Sequence, residues 1–407
     1  MVPNGWSIKA VADFLEKVSN PVNVTPEMVY HEIGIRSHGK GIFYKEPIFG
    51  KELGNKRVFY VEPDCLVVNI VFAWEQAIAK TTINEKGKIA SHRFPMFKPR
   101  DNLCDIDYIL YLFKSRKGKY LLELASPGGA GRNKTLGQSE FSKLELILPP
   151  IEEQKKIAKI LSSWDNAIST TEQLLANSQQ QKKALMQQLL TGKKRLLDSN
   201  GLRFSGEWIT IPLEKLCHIN PKRPPEPKDG LVSFIPMEFV SEDAKLLSTS
   251  ERCYTDVSKG FTSFLDGDTL IAKITPCFEN GKGCYVQGMK NGIGFGSTEF
   301  HVLRANKLSS PLYLYYITNT SEFRIKGEAN MQGSAGQKRV TTDYLKSLKV
   351  TVPKQVEEQQ KIAVVLSIAD QEITALQQKI AALKLEKKAL MQQLLTGKRR
   401  VKVEEAA

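Results

Sequence analysis

The chain lacks the cysteine patterns that mark disulfide frameworks and zinc sites. Its 407 residues include six cysteines, but no CxxC pair and no His/Cys spacing typical of a zinc site. No apolar run approaches the ~18 residues that a membrane span needs. The N-terminus also has no charged-then-apolar signal pattern. These absences predict reduced, structural cysteines in a soluble, cytoplasmic protein that has no membrane partner.

The chain also has no basic tail, although its net charge is +14. The positive excess is spread thinly over every segment of the chain rather than gathered in one low-complexity stretch. A charge of this sign suggests a polyanionic partner. Folded surfaces would have to bind that partner.

Motifs of DNA-modifying chemistry are missing too. The tetrad of a methyltransferase does not form, because Asn220-Pro221 continues into Lys222. Carboxylate-x-lysine triplets such as Asp243–Lys245 lie in loop-like sequence, and short triplets are common by chance. We therefore predict no catalytic, cofactor-binding or metal-binding residue in this chain.

One twelve-residue string, KKALMQQLLTGK, occurs twice without change, at residues 182–193 and 387–398. The match extends backwards to Glu152 and Glu357 at a constant offset of 205 residues and with no gap. A rod with a fixed number of turns requires such a gapless match, whereas a loop does not. The pattern indicates an internal duplication with a long helix in each copy.

Apolar residues in both copies alternate at spacings of three and four, which is typical of two helices that pack along their length. Prolines precede each run and glycines follow it, as expected where helices begin and end. The pattern predicts two helices of roughly 40 residues, or about 60 Å at ~1.5 Å per residue. The predicted seam residues are Ile157, Leu161, Trp164, Ile168, Leu175, Leu185 and Leu189 in the first copy, and Ile362, Leu366, Ile373, Leu376, Ile380, Leu383, Leu390 and Leu394 in the second.

The lysine in each seam favours an antiparallel pairing of the two helices. A parallel pair in register would place Lys182 against Lys387, two like charges partly withdrawn from water. An antiparallel pair would instead bring Lys387 near Trp164. Lys182 would then lie near Ala369, and both ammonium groups would reach solvent. Two separate amphipathic helices, each packed on its own globular domain, are the alternative.

Two globular regions adjoin the helices, and the second is a diverged copy of the first. Short β-type runs mixed with turns, such as Asp64–Phe72, predict an α+β fold. We predict two α/β-mixed domains joined by two long antiparallel helices that form a coiled coil, as a pseudo-two-fold repeat. The predicted boundaries are 1–150 for the first domain, 151–192 for the first helix, 193–206 for a linker, 207–353 for the second domain, 354–397 for the second helix and 398–407 for a tail.

Glycine-rich basic loops are the candidates for contact with nucleic acid. Gly34–Tyr44 interleaves glycines with basic, polar and aromatic side chains, a composition that suits a DNA groove or backbone. An ordinary glycine turn with solvated charges is the alternative. Gly128–Thr135 resembles a phosphate-binding P-loop, but an asparagine replaces its second glycine, so we reject nucleotide binding. The candidate DNA contacts are Arg36, Ser37, His38 and Lys40, then Arg132, Asn133 and Lys134, and, in the second domain, Gln337, Lys338 and Arg339.

Over nearly its whole length the chain resembles the specificity subunit of type I restriction-modification systems. The most specific stretches are Leu148–Ala158 (LPPIEEQKKIA) and Val352–Ala363 (VPKQVEEQQKIA), each followed by ALMQQLLTGK. The resemblance implies two target recognition domains, each of which recognises one half of a bipartite site in double-stranded DNA. It also implies that the paired helices hold these domains apart as a ruler.

The resemblance implies partners as well. Two methyltransferase subunits would dock on the chain and bring S-adenosylmethionine, and two restriction subunits would bring ATP and magnesium in the larger complex. The chain itself would hold no cofactor. A coiled-coil scaffold or adaptor that binds no DNA would explain the helices equally well, whereas the missing motifs disfavour a self-contained restriction enzyme. Co-purification of a methyltransferase would separate the first interpretation from both others.

Overall fold

Two compact units divide the chain, and neither is the simple linear domain that the repeat suggests. The first contains Met1–Glu172 and Gln378–Ala407, and the second contains Gln173–Gln377. Each unit therefore holds one globular domain and half of each long helix. The computed structural model describes residues 2–100, 102–128, 134–334 and 336–402.

The globular part of the first unit is a mixed α/β structure made of short elements. Its strands are β1 (Ser7–Ala10), β2 (Leu15–Val18), β3 (Val29–Tyr30), β4 (Ile33–Ile35), β5 (Ile42–Tyr44), β6 (Ile48–Phe49), β7 (Val58–Tyr60), β8 (Leu66–Val68), β9 (Ile78–Lys80), β10 (Ile89–Ser91), β11 (Met96–Pro99) and β12 (Glu145–Leu148). Its helices are α1 (Val11–Phe14), α2 (Gly50–Leu53), α3 (Ile106–Lys114), α4 (Arg116–Leu124) and α5 (Gln138–Lys143), and the chain then enters the long helix α6 (Ile151–Leu189). An antiparallel sheet of order β2-β11-β8-β9 forms the centre, and β1 pairs with β12.

The second unit repeats this framework. Its strands are β13 (Trp208–Pro212), β14 (Cys217–Ile219), β15 (Leu231–Ile235), β16 (Ser250–Cys253), β17 (Thr262–Leu265), β18 (Thr269–Ala272), β19 (Gly283–Tyr285), β20 (Ile293–Gly296), β21 (Phe300–Ala305) and β22 (Lys349–Pro353). Its helices are α7 (Tyr254–Val257), α8 (Pro311–Thr318), α9 (Ser321–Ala329) and α10 (Thr342–Ser347), followed by the second long helix α11 (Val356–Leu394). The central sheet has the order β14-β21-β18-β19, and β13 pairs with β22.

Outside the shared framework the two units differ. The second unit has a further four-stranded sheet, β16-β15-β20-β17, in which β15 and β20 run parallel. In place of this sheet, the described residues of the first unit form the two-stranded pairs β10-β7, β3-β6 and β4-β5. The faint similarity of the two globular sequences therefore reflects a common inner sheet that carries unlike outer strands.

Each half-helix is part of the core of its unit. In the first unit, Ile157 and Leu161 of α6 and Leu394 of α11 belong to the same buried cluster as Phe113 and Phe141. In the second unit, Ile362, Leu366 and Leu189 pack in the same way with Tyr313 and Phe323. Full burial of such side chains contributes about 1.5–3 kcal/mol each. All the predicted seam residues are buried or half-buried.

The repeated Glu-Glu-Gln string ties the start of each long helix to the globular domain. The side chain of Gln154 donates to Pro149 O at 2.9 Å and accepts from the amide of Asp105, the residue that caps α3, at 3.0 Å. Gln359 makes the matching bonds to Pro353 O and the amide of Ser310, both at 2.9 Å. These buried bonds give the repeated glutamines a packing role.

Both long helices end three residues before the predicted limits of 192 and 397. Gly192 has a φ of +72° and Gly397 a φ of +69°, so the chain leaves the helical conformation ahead of these glycines. A Cβ on Gly397 would lie 2.5 Å from Pro3, which also requires glycine there. Among the described residues, no helix combines the length and the apolar content needed to cross a membrane.

One arginine in the predicted linker and one in the described part of the predicted tail bind the long helices. Arg195, in the 193–206 segment, forms a two-pronged ion pair with Glu358, at 2.5 and 2.8 Å. Arg400, in the 398–407 segment, does the same with Glu153, at 2.8 and 2.7 Å. Both carboxylates are at least 98% buried, because Glu358 is 0% and Glu153 2% exposed.

Within each unit the two half-helices run antiparallel, as predicted. In the second unit Ser178 bonds to Glu372, and Lys182, further along α6, bonds to Asp370, which lies earlier in α11. The first unit shows the same sense, because Lys387 contacts Asp165 whereas Lys384, earlier in α11, contacts Glu172, which lies later in α6. Both lysines pair with aspartates of the other helix, which the sequence pattern did not predict.

Candidate nucleic-acid interface

The first candidate loop is the tip of a β-hairpin. Its flanking strands β4 and β5 pair in antiparallel register from Ile33 to Tyr44. His38 (φ +60°), Gly39 (φ +63°) and Gly41 (φ +84°) take left-handed conformations at the tip, which explains the glycines of this segment. Arg36, His38 and Lys40 are exposed, whereas Ser37 is half-buried.

The hairpin tip is anchored to a 3-10 turn, Ala73–Glu75. The amide of His38 donates to Glu75 O at 2.6 Å, and the amide of Gly39 donates to Gln76 O at 2.8 Å. The Ser37 hydroxyl donates to the Glu75 carboxylate at 2.9 Å. Ser37 therefore holds the loop, so its hydroxyl is not free for a ligand. Because the backbone of the tip is anchored, the neighbouring side chains of Arg36, His38 and Lys40 remain exposed to solvent.

Sequence reasoning missed Gln76, which connects this tip to the framework. Its side-chain amide donates to Phe113 O at 2.8 Å and Ser115 O at 3.2 Å, at the end of α3. Gln76 itself has a φ of +58°. A positive φ is uncommon for a residue other than glycine and marks Gln76 as unusual. This feature is visible only in the structure, so no signal for Gln76 was present in the sequence.

Lys134, in the described end of the second candidate loop, lies at the same turn. Lys134 Nζ lies 5.6 Å from the ring centre of Trp74, a distance that permits a cation–π contact. The Trp74 indole donates to Val71 O at 3.1 Å, and Phe72 beside it is 38% exposed. Basic and aromatic groups therefore converge here, a combination suited to phosphates and bases. The candidates Arg132 and Asn133 lie outside the described residues.

In the second unit, one of the basic side chains of the candidate loop is paired with a carboxylate. Arg339 forms a two-pronged ion pair with Glu299, at 3.0 and 2.9 Å. This pairing lowers the pKa of the Glu299 carboxyl and raises that of Arg339. Gln337 and Lys338 are exposed. Arg339 thus supports the loop through its carboxylate partner, while its two neighbours face outwards.

The candidate loops occupy matched positions in the two units. The amide of Leu136, next to the first-unit loop, donates to Ile70 O, just after β8. The amide of Val340, next to the second-unit loop, donates to Lys273 O, just after β18. The described residue that follows each loop therefore bonds beside the end of the corresponding central strand.

A buried histidine holds the second-unit loop. His301 is 3% exposed, and its Nε2 bonds to Val340 O at 2.8 Å, so this nitrogen carries the proton. Its Nδ1 faces the Asn220 amide at 3.2 Å. Burial lowers the pKa of His301, which keeps the ring neutral near pH 7.

Four of the six cysteines are buried in settings that suppress reactivity, whereas Cys253 is exposed and Cys277 is half-buried. Burial raises the pKa of Cys65 to about 11 and those of Cys104, Cys217 and Cys284 to about 12. Such thiols stay protonated near neutral pH and pack as small apolar side chains. Within the described ranges, no group of three or more His, Cys, Asp or Glu side chains could hold a metal ion.

The sequence matches one protein-family model twice. The model describes the type I restriction modification DNA specificity domain, and it matches residues 64–177 and 266–385. These two ranges include the central strand, the candidate loop and the start of the long helix in each copy.

Curated relatives carry the same family assignment. The chain is 39% identical to the EcoAI specificity subunit of Escherichia coli over 173 residues, which cover 40% of this chain and 28% of that protein. It is 33% identical to the EcoEI specificity subunit of Escherichia coli over 246 residues, 58% of this chain and 40% of that protein. A putative specificity subunit, MjaX, of Methanocaldococcus jannaschii is 26% identical over 98% of this chain and 95% of its own. The matched part thus spans less than half of the two Escherichia coli proteins.

Solved structures share the fold at low identity. The HsdS subunit of Thermoanaerobacter tengcongensis aligns with a TM-score of 0.51 and 18% identity, over 98% of both chains. The S subunit of a type I restriction-modification system from M. genitalium aligns with a TM-score of 0.58 and 12% identity, over 97% of this chain and 99% of its own. At these identities the likeness concerns the fold alone.

Proposed function

This chain belongs to the type I restriction-modification DNA specificity family, as a specificity subunit for DNA target recognition, and we propose that its two units recognise the two halves of one bipartite site. The observation that carries the proposal is the repeated framework with unlike outer strands. A common sheet presents matched loops, while different outer elements suit different base sequences. Two related recognition domains of this kind suit duplex DNA whose two half-sites differ in sequence.

We further propose that α6 and α11 form one antiparallel coiled coil that sets the separation of the half-sites. Antiparallel contacts within each unit and the equal length of 39 residues in both helices support this role. The coiled-coil scaffold without DNA binding is not favoured by the family assignment.

We infer that the chain performs no catalysis itself. The support is the absence of methyltransferase and nuclease motifs from its sequence, and its relatives' naming as specificity subunits. Two methyltransferase subunits would supply S-adenosylmethionine chemistry. Two restriction subunits would supply ATP- and magnesium-dependent cleavage.

We propose that one face of the repeated string docks the methyltransferase subunits. Five exposed polar positions of the string are identical in the two copies: Lys183, Gln187, Gln188, Thr191 and Lys193 in the first, and Lys388, Gln392, Gln393, Thr396 and Lys398 in the second. Core packing does not require identity at exposed positions. Other exposed pairs on the same helices have diverged, such as Lys159 with Val364 and Gln180 with Leu385. A common partner on each copy explains the difference.

Charge reversal on this face is expected to release the methyltransferase. Lys183→Glu with Gln187→Glu, combined with the same changes at Lys388 and Gln392, should lower its co-purification about ten-fold or more, since few central residues carry most binding energy. The matched control is Lys159→Glu with Lys379→Glu, at exposed positions of the same helices that differ between the copies. Equal recovery of the methyltransferase with both sets would place the docking surface elsewhere.

The isolated chain is expected to bind random-sequence DNA weakly, with a Kd in the range of about 1–100 µM at physiological salt. Its thinly spread positive charge offers few simultaneous phosphate contacts. Together with the co-purified methyltransferase it should bind and methylate only DNA that carries its target, tested by sequencing a methylated random library. Tight binding by the chain alone, insensitive to sequence, would refute the proposed division of labour.

Removal of the exposed charges at one loop is expected to affect one half-site. Arg36→Ala, His38→Ala and Lys40→Ala together should relax or abolish recognition of a single half, because each base contact contributes about 1–3 kcal/mol of discrimination. Lys143→Ala, whose side chain is 71% exposed in a surface ion pair, serves as the control. Methylation of the normal target at the normal rate by the triple variant would show that this loop does not contact DNA.

A further inference from the structure

Two polar clasps, one in each unit, join the long helices to the globular domain. In the first unit the carboxylate of Asp165 accepts from Lys387 Nζ at 2.5 Å and from the Tyr111 hydroxyl at 2.7 Å. Its twin in the second unit is the carboxylate of Asp370, which accepts from Lys182 Nζ at 2.6 Å and the Tyr316 hydroxyl at 2.8 Å. Corresponding members of the two clasps are all 205 positions apart in the chain. Each clasp therefore connects α6, α11 and the helix of the globular domain that packs on them.

The lysines of the clasps are largely shielded from water, whereas the Asp165 side chain is 47% exposed. The side chains of Lys387 and Lys182 are 16% and 21% exposed. Their ammonium groups lie 5.1 and 5.9 Å from the ring centres of Tyr111 and Tyr316. In such a setting an ammonium group needs its carboxylate partner, because desolvation of an unpaired charge is strongly unfavourable.

The apolar seam alone does not determine which residues face each other. Its positions recur every seven residues, so a slide of one helix by a heptad would place apolar side chains against apolar side chains again. The clasp residues break this equivalence. Such a slide would put Asp165 opposite Ile380 or Leu394 instead of Lys387. Asp370 would likewise face Leu175 or Leu189 instead of Lys182.

We propose that these two lysine–aspartate–tyrosine clasps are positioning residues that fix the register of the helices and thereby the spacer length that the protein accepts. The inference rests on the proposed ruler function and names the side chains responsible for it. A polar group at a seam position is the best-attested device for specifying register in helical pairs.

Removal of both clasps leaves other contacts to keep the protein folded. The ion pairs of Glu153 with Arg400 and of Glu358 with Arg195 lie at the helix starts and remain in place. Replacing a buried pair by apolar side chains of similar volume is close to neutral for folding. The clasps can therefore be tested separately from folding.

The test variant carries substitutions at all six clasp positions. They are Lys182→Met, Lys387→Met, Asp165→Leu, Asp370→Leu, Tyr111→Phe and Tyr316→Phe. The protein, in complex with its methyltransferase, is assayed on duplexes that carry both target halves at different separations. We expect a folded variant in which methylation at neighbouring spacers rises about ten-fold relative to the preferred one, equivalent to ~1.4 kcal/mol of lost preference. The control removes Glu172 and Lys384, an ion pair of the same helices that is about half exposed, and should leave the spacer profile unchanged. A clasp-free variant with the wild-type spacer profile would overturn the inference.

A charge exchange provides the second measurement, should the six-fold variant not fold. Lys387→Asp alone sets two carboxylates together and should reduce methylation at the native spacer, whereas adding Asp165→Lys restores the pair and the profile. A double variant no better than the single one would also overturn the inference. Failure of the wild-type complex to methylate any defined bipartite target would instead count against the proposed function.

Discussion

A heptad added to each long helix is expected to change the preferred spacer and to weaken methylation. Seven residues lengthen a helix by about 10.5 Å at ~1.5 Å per residue. That distance matches about three base pairs at ~3.4 Å each. The rotations do not match, because three base pairs turn the duplex by roughly 100°, whereas a heptad leaves the helix only about 20° from in phase. The methyltransferases or the DNA would have to twist to compensate.

The structure refines where the heptads belong. The seam pattern suggests insertion near Ser178 and Leu383, but Ser178 bonds to Glu372 across the helix pair. The boundary between the units falls after Glu172 in α6 and after Gln377 in α11, so insertion there leaves the contacts within each unit intact. Methylation of targets that differ only in spacer length gives the measurement.

Two controls accompany the heptad variant. A heptad in one helix alone should disrupt pairing and abolish activity, since the two helices then differ in length. Seven residues inserted at the exposed turn beside Asn200 should leave the spacer unchanged. If the doubly lengthened protein keeps the original spacer at full activity, the helices do not measure distance.

Arg195→Met is expected to destabilise the second unit by about 3 kcal/mol or more. The substitution leaves the fully buried Glu358 carboxylate without a counter-charge, and breaking a buried pair from one side costs about 3–5 kcal/mol. Urea unfolding at neutral pH measures the loss. Adding Glu358→Met should recover much of it, because no buried charge then remains.

The matching ion pair of the first unit, Arg400 with Glu153, allows a comparison of the two losses of stability. Arg400→Met should cost less than Arg195→Met, because the Arg400 side chain is 43% exposed against 20% for Arg195, and solvent screens the more open pair. Lys354→Met, in an ion pair exposed by about two thirds on both sides, should cost about 0–1 kcal/mol. A loss for Arg195→Met no larger than for Lys354→Met would contradict the role of this contact.

Functional residues were harder to predict than helices. The composition of Gly34–Tyr44 indicated an exposed basic loop, and His38 and Lys40 are indeed exposed. The composition of a loop could not indicate that Ser37 would bond to Glu75, or that Arg339 would bond to Glu299. These partners are distant in sequence. A polar side chain in a glycine-rich loop looks the same in sequence whether it faces a ligand or a neighbouring carboxylate.

By itself the sequence determined the duplication, both long helices and their antiparallel sense. Helix periodicity and the string at Lys182 and Lys387 are local patterns, and repulsion between like charges selects the antiparallel arrangement without other information. Only the tertiary structure decided what those lysines bind. A carboxylate 188 or 222 residues away lies within bonding distance of each lysine because the chain returns along itself, and burial then makes that pairing necessary.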